Sequence, residues 1–192
     1  GERLLCKEEV RGSSPLSSTI LPAVYYSQFA GSQTYIRGLY TGGTLCYETI
    51  LIARDSLDGV YTNTPVSSDE ALQDNKTPQK HTFLDLGEDE FTRGRPHPMI
   101  EPSLRNQWIL EQAEDDSVAV VLLDVVIGFG SHADPAGVAV EAINKAKETA
   151  KAAGRYLCVV ASVCGTEGDY QGFEKQKKLL EDVGVVVMPS NA

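Results

Sequence analysis

Ten consecutive residues, Val118 to Ile127, are Val, Ala, Leu or Ile at every position but one, and the exception is Asp124. The run does not alternate apolar with polar, and it is about half the length a membrane helix requires, so it reads as a central strand of a parallel sheet, buried on both faces. That reading constrains the whole chain. Parallel strands are joined only by crossover connections of about a dozen residues or more, usually helical, so the flanking sequence must supply strands alternating with helices.

Such an alternation is present. Ile36 to Tyr40 is a strand candidate, the turn Thr41-Gly42-Gly43 follows, and Thr44 to Arg54 carries a helical pattern with Leu45, Ile50 and Leu51 available for a buried face. Val60 to Lys80 is rich in Thr, Ser, Asp and Gln and is expected to be a polar surface excursion. His81 to Leu86 is a second strand. A helix begins at Pro102 and Ser103 and runs to about Ala113, with Leu104, Trp108 and either Ile109 or Leu110 facing inward. After the apolar run, Asp134 stands as N-cap before Pro135 at the first helical position. The Ala-rich helix that follows continues to Gly154, with Lys145, Lys147 and Glu148 on a solvated face. Tyr156 to Val163 is a fourth strand, Phe173 to Asp182 a helix terminated by Gly184, and Val185 to Met188 a fifth strand. Residues 1–35 hold Ser13, Ser14, Pro15, Ser17 and Ser18 without a clean period, and are expected to be a linker or the remnant of a preceding region.

The expectation is therefore one α/β domain over residues 36–192, a doubly wound parallel sheet of five strands with helices on both faces. In such a sheet every strand-to-helix loop lies at the carboxyl edge. Thr41 to Thr44, Gly87 to Met99, Gly128 to Ala133, Gly165 to Asp169 and Pro189 to Asn191 then converge on one rim, where helix N-termini present free N–H groups.

The loop Gly87-Glu88-Asp89-Glu90-Phe91-Thr92-Arg93-Gly94-Arg95-Pro96-His97-Pro98-Met99 holds the densest chemistry on that rim. Prolines on both sides of His97 restrict the backbone and preorganise the imidazole. Arg93 and Arg95 are of the type that clamps a carboxylate or phosphate bidentately, and Glu88, Asp89 or Glu90 is placed to orient the ring for acid–base work. The competing reading is an ion-pair network that pins a long loop. Gly42-Gly43-Thr44 reads either as an anion cradle or as a tight turn with Thr44 as N-cap. Gly128-Phe129-Gly130-Ser131-His132 lacks the full GxGxxG spacing and reads first as a sharp turn, with His132 at a helix cap or in solvent rather than in chemistry. Metal ligation through Asp85, Glu88, Asp89 and the histidines has no supporting spacing, and no metal is expected.

The chain of 192 residues is long enough for one full core. A formal net charge of -10 and a pI near 4.7 argue against nucleic acid or an anionic membrane as the partner, and leave a small anion in a local pocket as the fitting ligand. Cys6, Cys46, Cys158 and Cys164 form no CxxC pair, which points to a reducing compartment, the cytoplasm. Gly1-Glu2-Arg3 shows neither a signal core nor an initiating Met and reads as the start of a fragment or processed chain.

Four segments together resemble the FdrA family, a variant of the succinyl-CoA synthetase alpha subunit and its acyl-CoA synthetase relatives. They are Arg37 through Leu45 with its Thr41-Gly42-Gly43-Thr44, Asp85-Leu86-Gly87 through Gly94-Arg95-Pro96-His97-Pro98-Met99-Ile100, Leu122 through Gly130, and Gly165-Thr166-Glu167. The resemblance covers Ile36 to Ala192 and implies a flavodoxin-like ligase domain. Together with it, the residues read above suggest a phosphate- or carboxylate-bearing substrate held by Arg93, Arg95, Gly42, Gly43, Thr44, Gly128, Gly130, His132, Gly165 and Thr166, with His97, Glu90 and Asp89 as the reacting groups. CoA or a nucleotide would enter through regions outside this chain, an N-terminal CoA-binding-like domain or other subunits of an oligomer. Succinyl-CoA synthetases place their phosphorylated histidine in a Gly-His-Ala-Gly-Ala loop after the fourth strand, where this chain reads Gly165-Thr166-Glu167-Gly168-Asp169. FdrA-like proteins are also associated with carbamoyl transfer to oxamate, which needs anion clamps and no phosphohistidine.

Overall fold

A computed structural model of the chain describes residues 28–74 and 77–192. Most of the expected linker lies outside them. The described part is a parallel sheet of six strands in the order β2-β3-β1-β4-β5-β6, one more strand than expected. The strands are β1 (Tyr35–Tyr40), β2 (Val60–Thr62), β3 (His81–Asp85), β4 (Val118–Val126), β5 (Cys158–Cys164) and β6 (Val186–Met188). The helices are α1 (Gly43–Arg54), α2 (Asp89–Thr92), α3 (Ser103–Glu114), α4 (Pro135–Ala152) and α5 (Phe173–Glu181).

The additional strand, β2, corrects the reading of Val60 to Lys80 as surface excursion only. Three residues are too few to show a period, and β2 forms because β3 offers an open edge, pairing Val60 with His81 and Thr62 with Phe83. Without β2 the order β3-β1-β4-β5-β6 is that of flavodoxin-like sheets, with the change of direction between β1 and β4.

Alternation along the strands divides the core. Leu39, Leu84, Val121, Leu123 and Val125 face α3, α4 and α5, where Trp108, Ile109, Ala139, Ile143 and Leu180 meet them. Tyr40 and Phe83 face the other way, onto Cys46, Ile50 and Ala53 of α1. The inward face of α1 is thus Cys46, Thr49, Ile50 and Ala53, rotated from the expected Leu45 and Leu51, which the sheet leaves only half-covered. Of the two residues left open on α3, Ile109 is the fully buried one.

Residues 30–35 are tied to the sheet by Gln33, whose amide donates to the carbonyls of Val118 (2.7 Å) and Tyr156 (2.8 Å) and accepts from the N–H of Tyr156. Lys147 leaves the expected solvated face of α4: its Nζ donates to Val183 O (2.8 Å) and Gly184 O (2.6 Å), capping the chain after α5.

Candidate functional site

The site begins where β1 and β4 part at the carboxyl edge. Asp124, buried near the end of β4, accepts from the Thr41 N–H (2.9 Å) and the Thr41 hydroxyl (2.6 Å). It also pairs with Arg105 of α3 at 3.1 Å. Both charges are almost fully enclosed, so each stabilises the other where neither has water. The consequence is a fixed β1–α1 turn. Gly42 is the N-cap of α1 and Gly43 and Thr44 are its first two residues, which corrects Thr44 as the cap. No side chain caps this end and its first turn holds no acidic residue, so the first-turn N–H groups face the rim with the positive end of the helix dipole.

Asp85, the last residue of β3, stands beside this helix end, 3 % exposed. Asn63, just past β2, holds its backbone by accepting from the Asp85 N–H (2.9 Å) and donating to the Asp85 carbonyl (2.9 Å). Oδ1 accepts from the Gly87 N–H at 2.8 Å. Two glycines clear space around the carboxylate. A Cβ on Gly43 would stand 2.9 Å from Asp85 Oδ2; one on Gly87 would stand 3.0 Å from Asp85 Oδ1 and 2.6 Å from His97 Nε2. Neither glycine has positive φ, so what their missing side chains provide is room rather than backbone freedom. Burial raises the Asp85 carboxyl above the ordinary range, as do the carboxylates of Glu88 and Asp124, against the Gly87 N–H and His97, which lower it.

His97 thus meets Asp85, a carboxylate outside the expected set of Glu88, Asp89 and Glu90. Its Nδ1 accepts from the Met99 N–H at 3.2 Å, so in the neutral ring the proton is on Nε2, the nitrogen that faces Gly87. His132 repeats the arrangement, with Nδ1 accepting from the Asp134 N–H (3.0 Å), and its own N–H donates to Met99 O (2.8 Å), which ties its loop to that of His97.

Asp89 and Glu90 belong to α2, a short helical turn inside the loop expected to be irregular. Glu90 accepts from Asn63 Nδ2 at 3.0 Å. With Glu88 and Arg93 they line an open groove whose carboxylates outnumber its guanidinium. Arg95 is exposed beyond them, next to Gly94 at φ 80°. Gly128 and Gly130, at φ 129° and 87°, form the expected sharp turn and hold Phe129 fully out in solvent. Gln171, nearly enclosed, staples that turn by donating to Gly128 O, Ser131 Oγ and His132 O. At Gly165-Thr166 the Thr166 N–H and hydroxyl both donate to Asp169 Oδ2, at 2.6 and 3.1 Å, so this loop closes on itself.

The sequence profile of the CoA-ligase family matches residues 39–192, from the end of β1 to the last residue. The chain belongs to the CoA-ligase family. Over 159 residues it is 46% identical to the uncharacterized protein YahF of Escherichia coli strain K12, a match covering 83% of this chain and 31% of that relative. The chain therefore spans about a third of the length of the curated relative it matches. In this CoA-ligase domain the sequence reading names His97 and the α1 turn, weighs Asp85 only as a metal ligand, and passes over Asn63, Arg105 and Gln171. Asp85 had one available signal, an acidic residue near the end of a strand, two positions before Gly87. Asn63, Arg105 and Gln171 sit in polar stretches of ordinary composition and carried none.

Proposed function

We propose that this chain is the ligase domain of an FdrA-type acyl-CoA synthetase homologue and that it receives the oxyanion end of a phosphate- or carboxylate-bearing substrate at the N-terminus of α1. The observation carrying this reading is the convergence of the uncapped first turn of α1, the Asp85 carboxylate and His97 Nε2 around Gly43 and Gly87. Arg95, exposed and without an ion pair among the described residues, supplies a guanidinium to the outer part of the same substrate. His97 acts as a hydrogen-bond donor through Nε2. Phosphoryl capture would need the lone pair there, and the Met99 N–H claims the other nitrogen's lone pair instead. Coenzyme A is the partner that family membership implies for the whole protein, and the groups on this chain act on the oxyanion end alone.

Isothermal titration with carbamoyl phosphate, oxamate, coenzyme A and adenine nucleotides is expected to find at least one ligand whose affinity falls tenfold or more in Arg95→Ala; binding of none overturns the proposal. A second reading, a subunit of an oxamate carbamoyltransferase-type complex, draws on Gly165-Thr166 standing at the loop where succinyl-CoA synthetases carry a phosphorylated histidine. Carbamoyl transfer with partner subunits supplied separates the two. Full activity of the complex with His97→Gln would instead mark the domain as non-catalytic.

A further inference from the structure

Asp85 stands beside the helix end proposed to hold an anion. An ionised carboxylate beside the helix end would repel the anion that this end is expected to hold. Its Oδ2 nevertheless accepts no hydrogen bond from the described residues and lies against Gly43 in the first turn of α1, in a residue only 3 % exposed. Oδ1 is occupied by the Gly87 N–H. That oxygen is placed to carry a proton and donate it to a ligand oxygen at the helix end.

We propose that Asp85 is the proton-bearing member of this site, that it takes up one proton from solvent when an oxyanion binds at the N-terminus of α1, and that its protonated Oδ2 donates to the bound oxygen. The inference rests on the anion-binding reading of the same site. The step is balanced by the buffer: carboxylate plus proton plus anion gives a carboxylic acid hydrogen-bonded to the anion. The charged and titratable groups facing Asp85 are consistent with it. Asp124 on β4 and Glu88 on the following loop are acidic, the Cys46 thiol on α1 is buried and neutral, and His97 across Gly87 is the one group of opposite tendency. Burial and the two carboxylates already hold the Asp85 carboxyl above its ordinary value. His97 keeps Nδ1 as the acceptor of the Met99 N–H.

The probes are sulfate and oxamate, neither of which titrates near neutral pH, measured by calorimetry in buffers of different ionisation enthalpy. For the unmodified chain at pH 7 the expected result is uptake of about one proton per anion bound, with affinity falling up to about tenfold per pH unit above the Asp85 titration. Asp85→Asn keeps the acceptor for the Gly87 N–H and mimics the protonated acid, so it should bind the anion with no proton uptake and a flat pH profile. His97→Gln should keep the uptake. Binding without uptake in the unmodified chain, or uptake abolished by His97→Gln and kept by Asp85→Asn, overturns the role of Asp85 while leaving the anion site standing. Failure of both probes to bind even at pH 5 overturns the site and the role together.

Discussion

At the scale of single residues, His81 shows how burial converts a titratable group into a pH limit on stability. The ring packs edge-on against Tyr35, centroids 5.4 Å apart, and its Nδ1 accepts from the Ile36 N–H at 3.2 Å. Burial, then the nearby Arg37 guanidinium, push the imidazole down to about 4. The unfolded chain binds a proton there from about pH 6.5 downward while the folded chain does not, so stability is complete above that value and lost as pH falls toward 4, by at most about 3 kcal/mol. His81→Asn, which keeps an acceptor for Ile36, should flatten the acid limb of urea midpoints measured between pH 7 and 4.5. Gly87→Ala tests the room between Asp85 and His97. Its methyl would meet His97 Nε2 at 2.6 Å, so anion affinity should drop about tenfold or more, with a far smaller change in melting temperature. His97 could be read from sequence because two prolines and two arginines mark its loop. Asp85 could not be ranked above Glu88, Asp89 and Glu90, because side-chain proximity across a loop of this length depends on the path the backbone takes.

At the scale of elements, the polar contacts that hold helices to strands come from partners far apart in sequence. Asp134 occupies the N-cap of α4 as expected, yet its carboxylate makes no cap hydrogen bond. Gln176 of α5 does that work: Oε1 accepts from the Ala136 N–H (2.9 Å) while Nε2 donates to Asp134 Oδ1 (2.7 Å). Gln176→Ala removes the cap and should cost about 1–2 kcal/mol. In Gln176→Glu the acceptor is kept, but two carboxylates are set face to face, so the loss should grow as pH rises from 4 to 7, read by chemical denaturation. The Arg105–Asp124 pair locks α3 to β4 and to the β1 turn. Arg105→Met leaves a buried carboxylate without its cation and should cost about 3–5 kcal/mol, while Arg105→Met with Asp124→Asn should recover a large part of that. Of these devices the sequence shows only the cap position, since a helix period reports which face is apolar and not which distant amide completes a terminus.

At the scale of the molecule, the chain for which an anion site is proposed carries a formal charge of -10. Self-repulsion is a long-range term that salt screens, whereas the Arg105–Asp124 pair is sheltered from it. Raising potassium chloride from 10 to 150 mM should therefore raise the melting temperature by a degree or two, measured by differential scanning calorimetry; a decrease would show that exposed ion pairs outweigh the repulsion. The run Val118 to Ile127 by itself determined the class of fold. A strand apolar on both sides must lie inside a parallel sheet, parallel strands require crossovers, and crossovers place every following loop on one rim. The sequence determined as well that this rim would hold glycine turns and the His97 loop. Tertiary structure alone decided that β2 would join at the edge of β3, that Thr41 would be held by Asp124, and that Asp85 and His97 would meet across Gly87 beside the open end of α1. The physical reason is the same in each case: periodicity and composition act along the chain, while an unpaired strand edge, a buried ion pair and the space left by a missing Cβ exist only between segments brought together by folding.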